Sequence, residues 1–301
     1  MKKWKWVLAC MLLAVNSGLA GEPVKIDFHW NFKQQAAKDL FDKKDYPAAQ
    51  KALEDLVATA PNERAKLECL SLAAIALGCQ KQYDPALQAA RRIPDVPMAD
   101  YTRMEIMKVN EKHSELIAEF KTADIDHWPE SVRGEAFFTR GTDFVRLQDG
   151  PAAAADLRKA AEYSHDKHTP GQAWLMLGDT YQSLLKDEQK ALEAYCEGVK
   201  LVRGGNGYSY AMQAVLSAAS ILRKQGKYDE ALGILGKIDY EKMEGYWGVA
   251  FYCAYGETLA GQGKKAEAIA KFNEALGIKD ATAANKAACE KRIKELQGKT
   301  D

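Results

Sequence analysis

Histidine side chains are the first residues to test for chemistry in this 301-residue chain. His165-Asp166-Lys167-His168 places two imidazoles three positions apart beside a carboxylate, which is a ligand-type pattern. The segment lies in a predicted loop, however, and solvated loop residues explain it better than a metal site does. The sequence contains neither an HExxH nor a GxSxG motif. We therefore predict no metal site and no cofactor.

Two other segments carry residue types that occur in active sites. Residues 203–207 (RGGNG) are glycine-rich, but no Gly-Lys-Ser/Thr follows them, so they are read as a flexible linker and not as a phosphate loop. Asp124 and Asp126 form a pair of acids near a predicted helix end and need no catalytic role there. The sequence thus predicts a protein that is not an enzyme, with a dispersed catalytic site as the remaining alternative.

Five cysteines follow residue 20, and an odd number leaves at least one unpaired. Cys69 and Cys79 fall on one predicted helix, about 15 Å apart. That distance excludes a disulfide between them, because the α-carbons of a disulfide lie within about 7 Å. The pattern matches no zinc framework, and buried small hydrophobic residues are the favoured reading. Whether Cys253 or Cys289 forms a disulfide stays open.

Residues 1–20 have the features of a secretory signal peptide. Three lysines stand among the first five residues, an apolar run covers 6–15, and the small residues Gly18 and Ala20 fit cleavage after Ala20. The apolar run is too short for a membrane span, which needs roughly 20 residues. We expect a periplasmic or secreted protein without a transmembrane segment. An uncleaved anchor and a lipoprotein attached at Cys10 are the alternatives.

Charge gives little indication of the partner. The chain has 42 basic and 42 acidic residues, so its net charge is zero and gives no overall electrostatic attraction to nucleic acid or to an anionic membrane. Removal of the predicted signal peptide would delete three lysines and leave a slightly acidic protein. No nucleic-acid partner is expected.

Internal repetition is the strongest signal in the sequence. Six segments share a helical run, a turn and an Ala-rich second helix that carries a small residue near its start: Ala49, Ala86, Ala153, Ala191, Ala231 and Ala268. Successive gaps are 37, 67, 38, 40 and 37 residues. The gap of 67 predicts a hidden seventh copy within 98–128, with Leu116 in the position of the small residue and Phe120 four residues later.

This pattern resembles the tetratricopeptide repeat family, whose unit is a 34-residue helix–turn–helix. Trp174, Leu177, Gly178 and Tyr181 reproduce its first-helix signature, although one extra residue separates Tyr181 from the following second-helix alanine. The resemblance covers residues 33–280. It implies an all-α fold, a right-handed α-solenoid of about seven helix–turn–helix repeats with a C-terminal capping helix.

The remaining segments complete the predicted organisation. Residues 21–32 are expected to form an extended lead-in, because 24–30 alternate in hydrophobicity. Residues 281–297 are expected to be the capping helix, which has a polar outer face. Residues 298–301 are a short tail.

The resemblance also implies a binding surface, because the first helices of such repeats line a concave groove. Transferred position by position, that groove is predicted to contain Lys38, Phe41, Tyr101, Glu105, Phe138, Thr142, Arg146, Gln172, Asp179 and Arg223. Further positions on the same helices are Gln34, Glu68, Ser71, Ile75, Lys108, Glu135, Leu175, Gln182, Gln213, Leu216 and Ser220.

These observations favour a protein–protein interaction scaffold in the cell envelope, which holds a protein or peptide segment in its groove or assembles an envelope complex. The alternative is a soluble binder of glycan or another small ligand. It would use an aromatic cluster in 208–255, together with one ring further upstream, as stacking surfaces: Trp174, Tyr208, Tyr210, Tyr246, Trp247 and Tyr252.

Overall fold

The computed structural model describes residues 28–164, 168–201, 208–238, 245–279 and 281–298, and these segments form fifteen α-helices without a β-strand. The predicted all-α fold is confirmed. In chain order the helices are α1 Phe28–Asp42, α2 Tyr46–Val57, α3 Glu63–Cys79, α4 Tyr83–Arg91, α5 Val96–Val109, α6 His113–Phe120, α7 Glu130–Arg146, α8 Gly150–Tyr163, α9 Thr169–Thr180, α10 Glu188–Lys200, α11 Tyr208–Lys224, α12 Tyr228–Leu235, α13 Gly245–Gly261, α14 Lys265–Leu276 and α15 Ala283–Gly298.

The first fourteen helices pack in consecutive pairs, which gives seven hairpins, and α15 covers the last pair. From the second hairpin onward, the first helix of each hairpin also packs against the first helix of the next. The first helices α3, α5, α7, α9, α11 and α13 therefore lie side by side along one face of the stack. This is the arrangement of a solenoid, in which each repeat contacts only its neighbours.

The predicted small residues are the contact points of the hairpins. All six alanines near the starts of the second helices are 0% exposed: Ala49, Ala86, Ala153, Ala191, Ala231 and Ala268. The hidden copy is confirmed as the α5–α6 hairpin, in which Leu116 and Phe120 are buried. A fully buried small residue at this point lets the two helices of a hairpin approach closely.

The seven hairpin turns share one geometry. Each contains one residue in the left-handed conformation, with φ between 55° and 80°: Lys44, Lys81, Glu111, Gln148, Lys186, Gly226 and Gly263. In six of the turns the amide after that residue donates to the carbonyl five positions earlier, as in Asp45 to Leu40 (3.0 Å). These are the bonds of a Schellman helix end.

The remaining turn, in the fifth hairpin, explains the extra residue between Tyr181 and Ala191 in the sequence. There the amide of Asp187 donates to Tyr181, six positions earlier, and residues Tyr181–Leu185 form a π-helical turn. A π-turn holds one more residue than an α-helical turn. The inserted residue is therefore absorbed at the end of α9, and Ala191 still reaches its buried position in α10.

The N-terminal lead-in departs from the prediction. Helix α1 begins at Phe28, so residues 28–32 are helical and the expected extended conformation is wrong there. The reason is that Trp30 is buried in the first hairpin, where its Nε1 donates to the Leu56 carbonyl of α2 (3.3 Å). Trp30 and Ala37 lie seven residues apart and are both buried, so they form one helical face. The rest of the lead-in and the predicted signal peptide lie outside the described residues.

The C-terminal helix α15 starts at Ala283 and ends at Gly298. It begins two residues later and ends one residue later than the predicted capping helix. It packs against both helices of the last hairpin. None of the helices in the described segments has the length and hydropathy needed to cross a bilayer.

One buried ion pair connects the middle hairpins. Arg140 and Asp156 are 8% and 5% exposed, and the guanidinium Nε and Nη2 donate to the two carboxylate oxygens at 2.7 and 3.0 Å. The remaining Nη1 donates to the Phe120 and Ala123 carbonyls at 2.9 and 3.0 Å. Arg140 thereby joins α7 and α8 to the end of the preceding hairpin. The burial of Asp156 raises the pKa of its carboxyl, and the Arg140 hydrogen bonds oppose that shift.

Gly178 provides a direct test of the close approach within a hairpin. A Cβ atom at this position would lie 2.3 Å from the ring of Tyr195, which is fully buried and cannot move aside. We expect Gly178→Ala to lower the free energy of unfolding by about 2 kcal/mol through overpacking. The matched control is Gly233→Ala in α12, where a Cβ meets nothing within 4 Å. It should raise that free energy by about 1 kcal/mol through helix propensity. Urea unfolding followed by circular dichroism measures both, and equal effects would contradict the close contact.

Candidate functional site

The first helices of the first four hairpins enclose a cavity of about 490 Å³, which we call the N-terminal groove. Its walls come from α1, α3, α5 and α7, with Leu53 of α2 at the base. The remaining lining residues are Gln35, Lys38, Phe41, Asp42, Arg64, Glu68, Ser71, Leu72, Ile75, Met98, Tyr101, Ser131, Val132 and Glu135.

Apolar side chains form the floor of the N-terminal groove. Ile75, Met98 and Val132 are buried, while Phe41 and Tyr101 are half-buried. Phe41 is held by an edge-to-face contact with Tyr46, with ring centroids 5.3 Å apart. Half-buried aromatic rings above a buried apolar floor offer contact area at a low cost in side-chain entropy, which is typical of binding hot spots.

The rim of the groove carries charges of both signs. Lys38 Nζ lies 3.5 Å from Glu68 Oε2, and Gln34 Nε2 donates to the same oxygen at 2.8 Å. Arg64 and Asp42 are exposed at the rim. Apolar contact is therefore available inside the groove, and hydrogen-bonding groups of both signs are available around it.

Glu135 closes one end of the groove and is fixed by the junction between the fourth and fifth hairpins. Its carboxylate oxygens accept hydrogen bonds from Ser164 Oγ (2.6 Å) and Thr169 Oγ1 (2.9 Å). Within the fourth hairpin, the Arg133 guanidinium on α7 lies 4.5 Å from the centroid of the Tyr163 ring on α8. The wall formed by α7 is thus positioned by the next hairpin as well as by its own.

Three of the ten predicted groove residues line this cavity together: Lys38, Phe41 and Tyr101. Four of the further positions join them, namely Glu68, Ser71, Ile75 and Glu135. The sequence reasoning missed Met98 and Val132, which lie three residues before Tyr101 and Glu135. Helical spacing puts residues three apart on one face, so this signal was present in the sequence.

Three other predicted residues are engaged in helix packing. Glu105 accepts a hydrogen bond from Thr139 across α5 and α7 and pairs with Lys108 (2.5 Å). Phe138 is half-buried between the two central hydrophobic clusters. Thr142 Oγ1 donates to the Thr139 carbonyl at 2.8 Å. These side chains already have partners within the stack.

The last four predicted residues are dispersed. Arg146 is exposed at the end of α7, and Gln172 is half-buried near the start of α9. Asp179 accepts a hydrogen bond from the Tyr195 hydroxyl at 2.6 Å, within its own hairpin. Arg223 lines a different cavity, at the other end of the stack.

That C-terminal cavity measures about 410 Å³ and lies between α11, α13 and α15. Arg292 of α15 donates from Nε and Nη2 to both oxygens of Glu257 at 2.6 and 2.7 Å, and these hydrogen bonds raise the pKa of its guanidinium. Arg223 Nη1 donates to the Ala254 carbonyl at 3.4 Å, and burial lowers the pKa of Arg223. Three of its lining residues, Glu257, Arg292 and Glu295, are joined in ion pairs.

Among the described residues, no cysteine or histidine lines the N-terminal groove or the C-terminal cavity. Burial raises the pKa of the Cys69 thiol to about 11, which leaves little reactive thiolate at neutral pH. Cys69 and Cys79 lie on the single helix α3, as predicted. His113 Nδ1 contacts the fully buried Asp143, whose pKa burial raises, and neither residue lines the N-terminal groove or the C-terminal cavity.

The described part of the chain contains no group of three or more His, Cys, Asp or Glu side chains placed to hold a metal ion. Of the histidine motif only His168 is described, and it is exposed. The glycine-rich linker 203–207 lies outside the described residues.

The aromatic residues of the alternative function are used mainly for packing. Trp174, Tyr210, Trp247 and Tyr252 all pack against a central hydrophobic cluster. Tyr246 is 64% exposed and makes an edge contact with Trp247 at 5.1 Å. The side chain of the sixth aromatic residue, at position 208, lies outside the described residues.

Several solved structures are similar to this chain at low sequence identity. A tetratricopeptide repeat protein from Parabacteroides merdae has 15% identity over 89% of this chain and 98% of its own, with a TM-score of 0.40. PilW, a widely conserved type IV pilus biogenesis factor, has 18% identity over 74% and 98%, with a TM-score of 0.47. The C-terminal part of a TPR repeat-containing protein from Cytophaga hutchinsonii has 17% identity over 89% and 96%, with a TM-score of 0.45. No protein-family model and no curated protein matches the sequence.

The Lys38–Glu68 pair at the groove rim should contribute little to stability. Both side chains are more than a third exposed, and exposed ion pairs are worth about 0–1 kcal/mol. We expect Lys38→Met to change the free energy of unfolding by less than about 1 kcal/mol, measured by urea unfolding. A larger loss would show that this pair supports the fold and not only the rim.

Proposed function

We propose that the protein is an interaction scaffold that holds a segment of a protein partner in the N-terminal groove. The observation that carries this proposal is the lining of the groove, where Phe41 and Tyr101 stand above a buried apolar floor and charges of both signs surround them. A segment from a partner would insert apolar side chains between these rings. Its backbone and flanking polar groups would meet the rim.

The charges of the rim define the kind of segment that fits. Lys38 and Arg64 are balanced by Asp42 and Glu68. The fifth charged residue is Glu135, whose carboxylate already accepts hydrogen bonds from Ser164 and Thr169. An anionic polymer would gain no net attraction from such a rim. A peptide segment with an apolar anchor and flanking residues of both charges matches it better.

The volume of the groove limits how much of a partner it takes. A cavity of about 490 Å³ is the size of a small-ligand site, which spans about 300–1,000 Å³. A few side chains would fill it, so the bound segment is short. We propose that a short anchor of this kind docks a larger partner, and a free small ligand is the competing occupant.

Site-specific cross-linking tests the groove. A photoreactive benzoylphenylalanine placed at Tyr101 should yield a protein adduct in an envelope extract, identified by mass spectrometry. The matched control places the same group at Phe32 of α1, which is 75% exposed and outside the groove. Combining the probe at Tyr101 with Phe41→Ala should reduce the adduct at least tenfold, because truncating a hot spot costs 2 kcal/mol or more. Phe32→Ala should leave it unchanged.

Two outcomes of that experiment would reject the proposal. Equal adducts from the positions of Tyr101 and Phe32 would show that the groove has no preference for the partner. An adduct that contains only carbohydrate or another small molecule would establish the alternative function instead. Circular dichroism of each variant shows whether the helices remain folded.

We further propose that the protein acts in the cell envelope, after removal of residues 1–20. N-terminal sequencing of the chain recovered from the envelope fraction should begin at Gly21, because Gly18 and Ala20 fit the specificity of signal peptidase. Recovery of the intact N-terminus from the cytosolic fraction would contradict export. A lipid attached at Cys10 would replace the signal-peptide reading with the lipoprotein alternative.

A further inference from the structure

Two cysteine sulfurs meet at the C-terminal end of the stack. Cys253 Sγ on α13 lies 2.9 Å from Cys289 Sγ on α15, although the two residues are 36 positions apart in sequence. Cys69 and Cys79 lie on α3, and Cys196 lies on α10. Cys253 and Cys289 are therefore the pair that the fold brings together.

The surroundings show why a covalent link would matter at this place. Cys289 is the one fully buried side chain of α15, at 1% exposure. It lies in a cluster with Val249, Phe272 and Ala275 of the last hairpin. A terminal helix with so little buried surface is held weakly, and such helices open at a low free-energy cost.

An ion pair next to the two thiols fixes the position of α15 along α13. Arg292 on α15 holds Glu257 on α13 through two hydrogen bonds, at 2.6 and 2.7 Å. Glu257 lies four residues after Cys253, and Arg292 lies three residues after Cys289, so each helix presents the two contacts on neighbouring turns of one face. A disulfide bond has a length of about 2.05 Å, so the sulfurs need to approach by only about 0.9 Å.

We propose that Cys253 and Cys289 form a disulfide that fastens the capping helix to the last hairpin. The two thiols lose two protons and two electrons, and a sulfur–sulfur bond forms between them. The electrons pass to a disulfide-bearing oxidant, which is reduced to two thiols through a mixed disulfide. The expected compartment is the oxidising environment outside the cytosol, where such bonds persist.

The bond should form faster during folding than afterwards. Burial and the Cys289 contact raise the pKa of the Cys253 thiol to about 12, and exchange requires a thiolate. Once α15 has docked, Cys289 is buried and Cys253 is half-buried, so an external oxidant reaches the pair less readily. The disulfide joins two residues that are 36 positions apart. It therefore lowers the conformational entropy of the unfolded chain, which favours the folded state.

Refolding in a glutathione redox buffer tests the proposal. The full chain is reduced and unfolded, refolded with oxidised and reduced glutathione, alkylated and digested. Mass spectrometry should recover the Cys253 and Cys289 peptides joined, with Cys10, Cys69, Cys79 and Cys196 alkylated. Reduced protein that is already folded should form the bond at least tenfold more slowly, because Cys289 is buried and Cys253 is half-buried. Alkylation of Cys253 and Cys289 after refolding, or bonds to other cysteines, would overturn the proposal.

A second measurement separates the fastening of α15 from general stability. Hydrogen exchange of the amides of Ala283–Gly298 should slow at least tenfold in the oxidised chain relative to the reduced chain. Cys196→Ser is the matched control and should show the same difference, whereas Cys253→Ser should show none. Equal exchange of α15 in both redox states would reject the fastening role. Since the groove is at the opposite end of the stack, this result is independent of the cross-linking experiment.

Discussion

The close approach of two helices at a small buried residue is the contact on which the whole molecule depends. Each hairpin has an alanine, or Leu116 in the third hairpin, fully buried near the start of its second helix. Hairpins joined at this point expose apolar surface on the faces that meet the next copy, and they bury it only by stacking. The stack in turn sets the first helices side by side. Both the N-terminal groove and the site of the capping helix follow from that arrangement.

Much of the fold was predictable, because repetition amplifies a weak local signal. The spacing of the alanines gave the number of hairpins and located the hidden copy at α5–α6. Residues at the edge of the array have no such repetition, and the expected extended lead-in is wrong at residues 28–32, which are helical. In the structure Trp30 is a helical core residue whose partner, Leu56, lies in the next helix.

The candidate site was less predictable than the fold, for a physical reason. Position within a repeat tells which face of a helix a residue occupies, but not whether a neighbouring hairpin has already taken it as a partner. Glu105 shows this, since it faces the predicted surface and yet bonds with Thr139 of α7. Arg223 shows a second limit, because membership of a first helix does not say which cavity the residue joins. Such facts depend on distances between copies, which no single copy encodes.

The π-turn at Tyr181–Leu185 divides the array at its middle. Four hairpins with the N-terminal groove precede the fifth hairpin, whose first helix ends in this turn, and two hairpins with the cap follow it. Because the widened turn takes up an extra residue locally, neither half has to repack. One residue of added length is thus accommodated at this joint, and Ala191 keeps its buried position in the helix that follows.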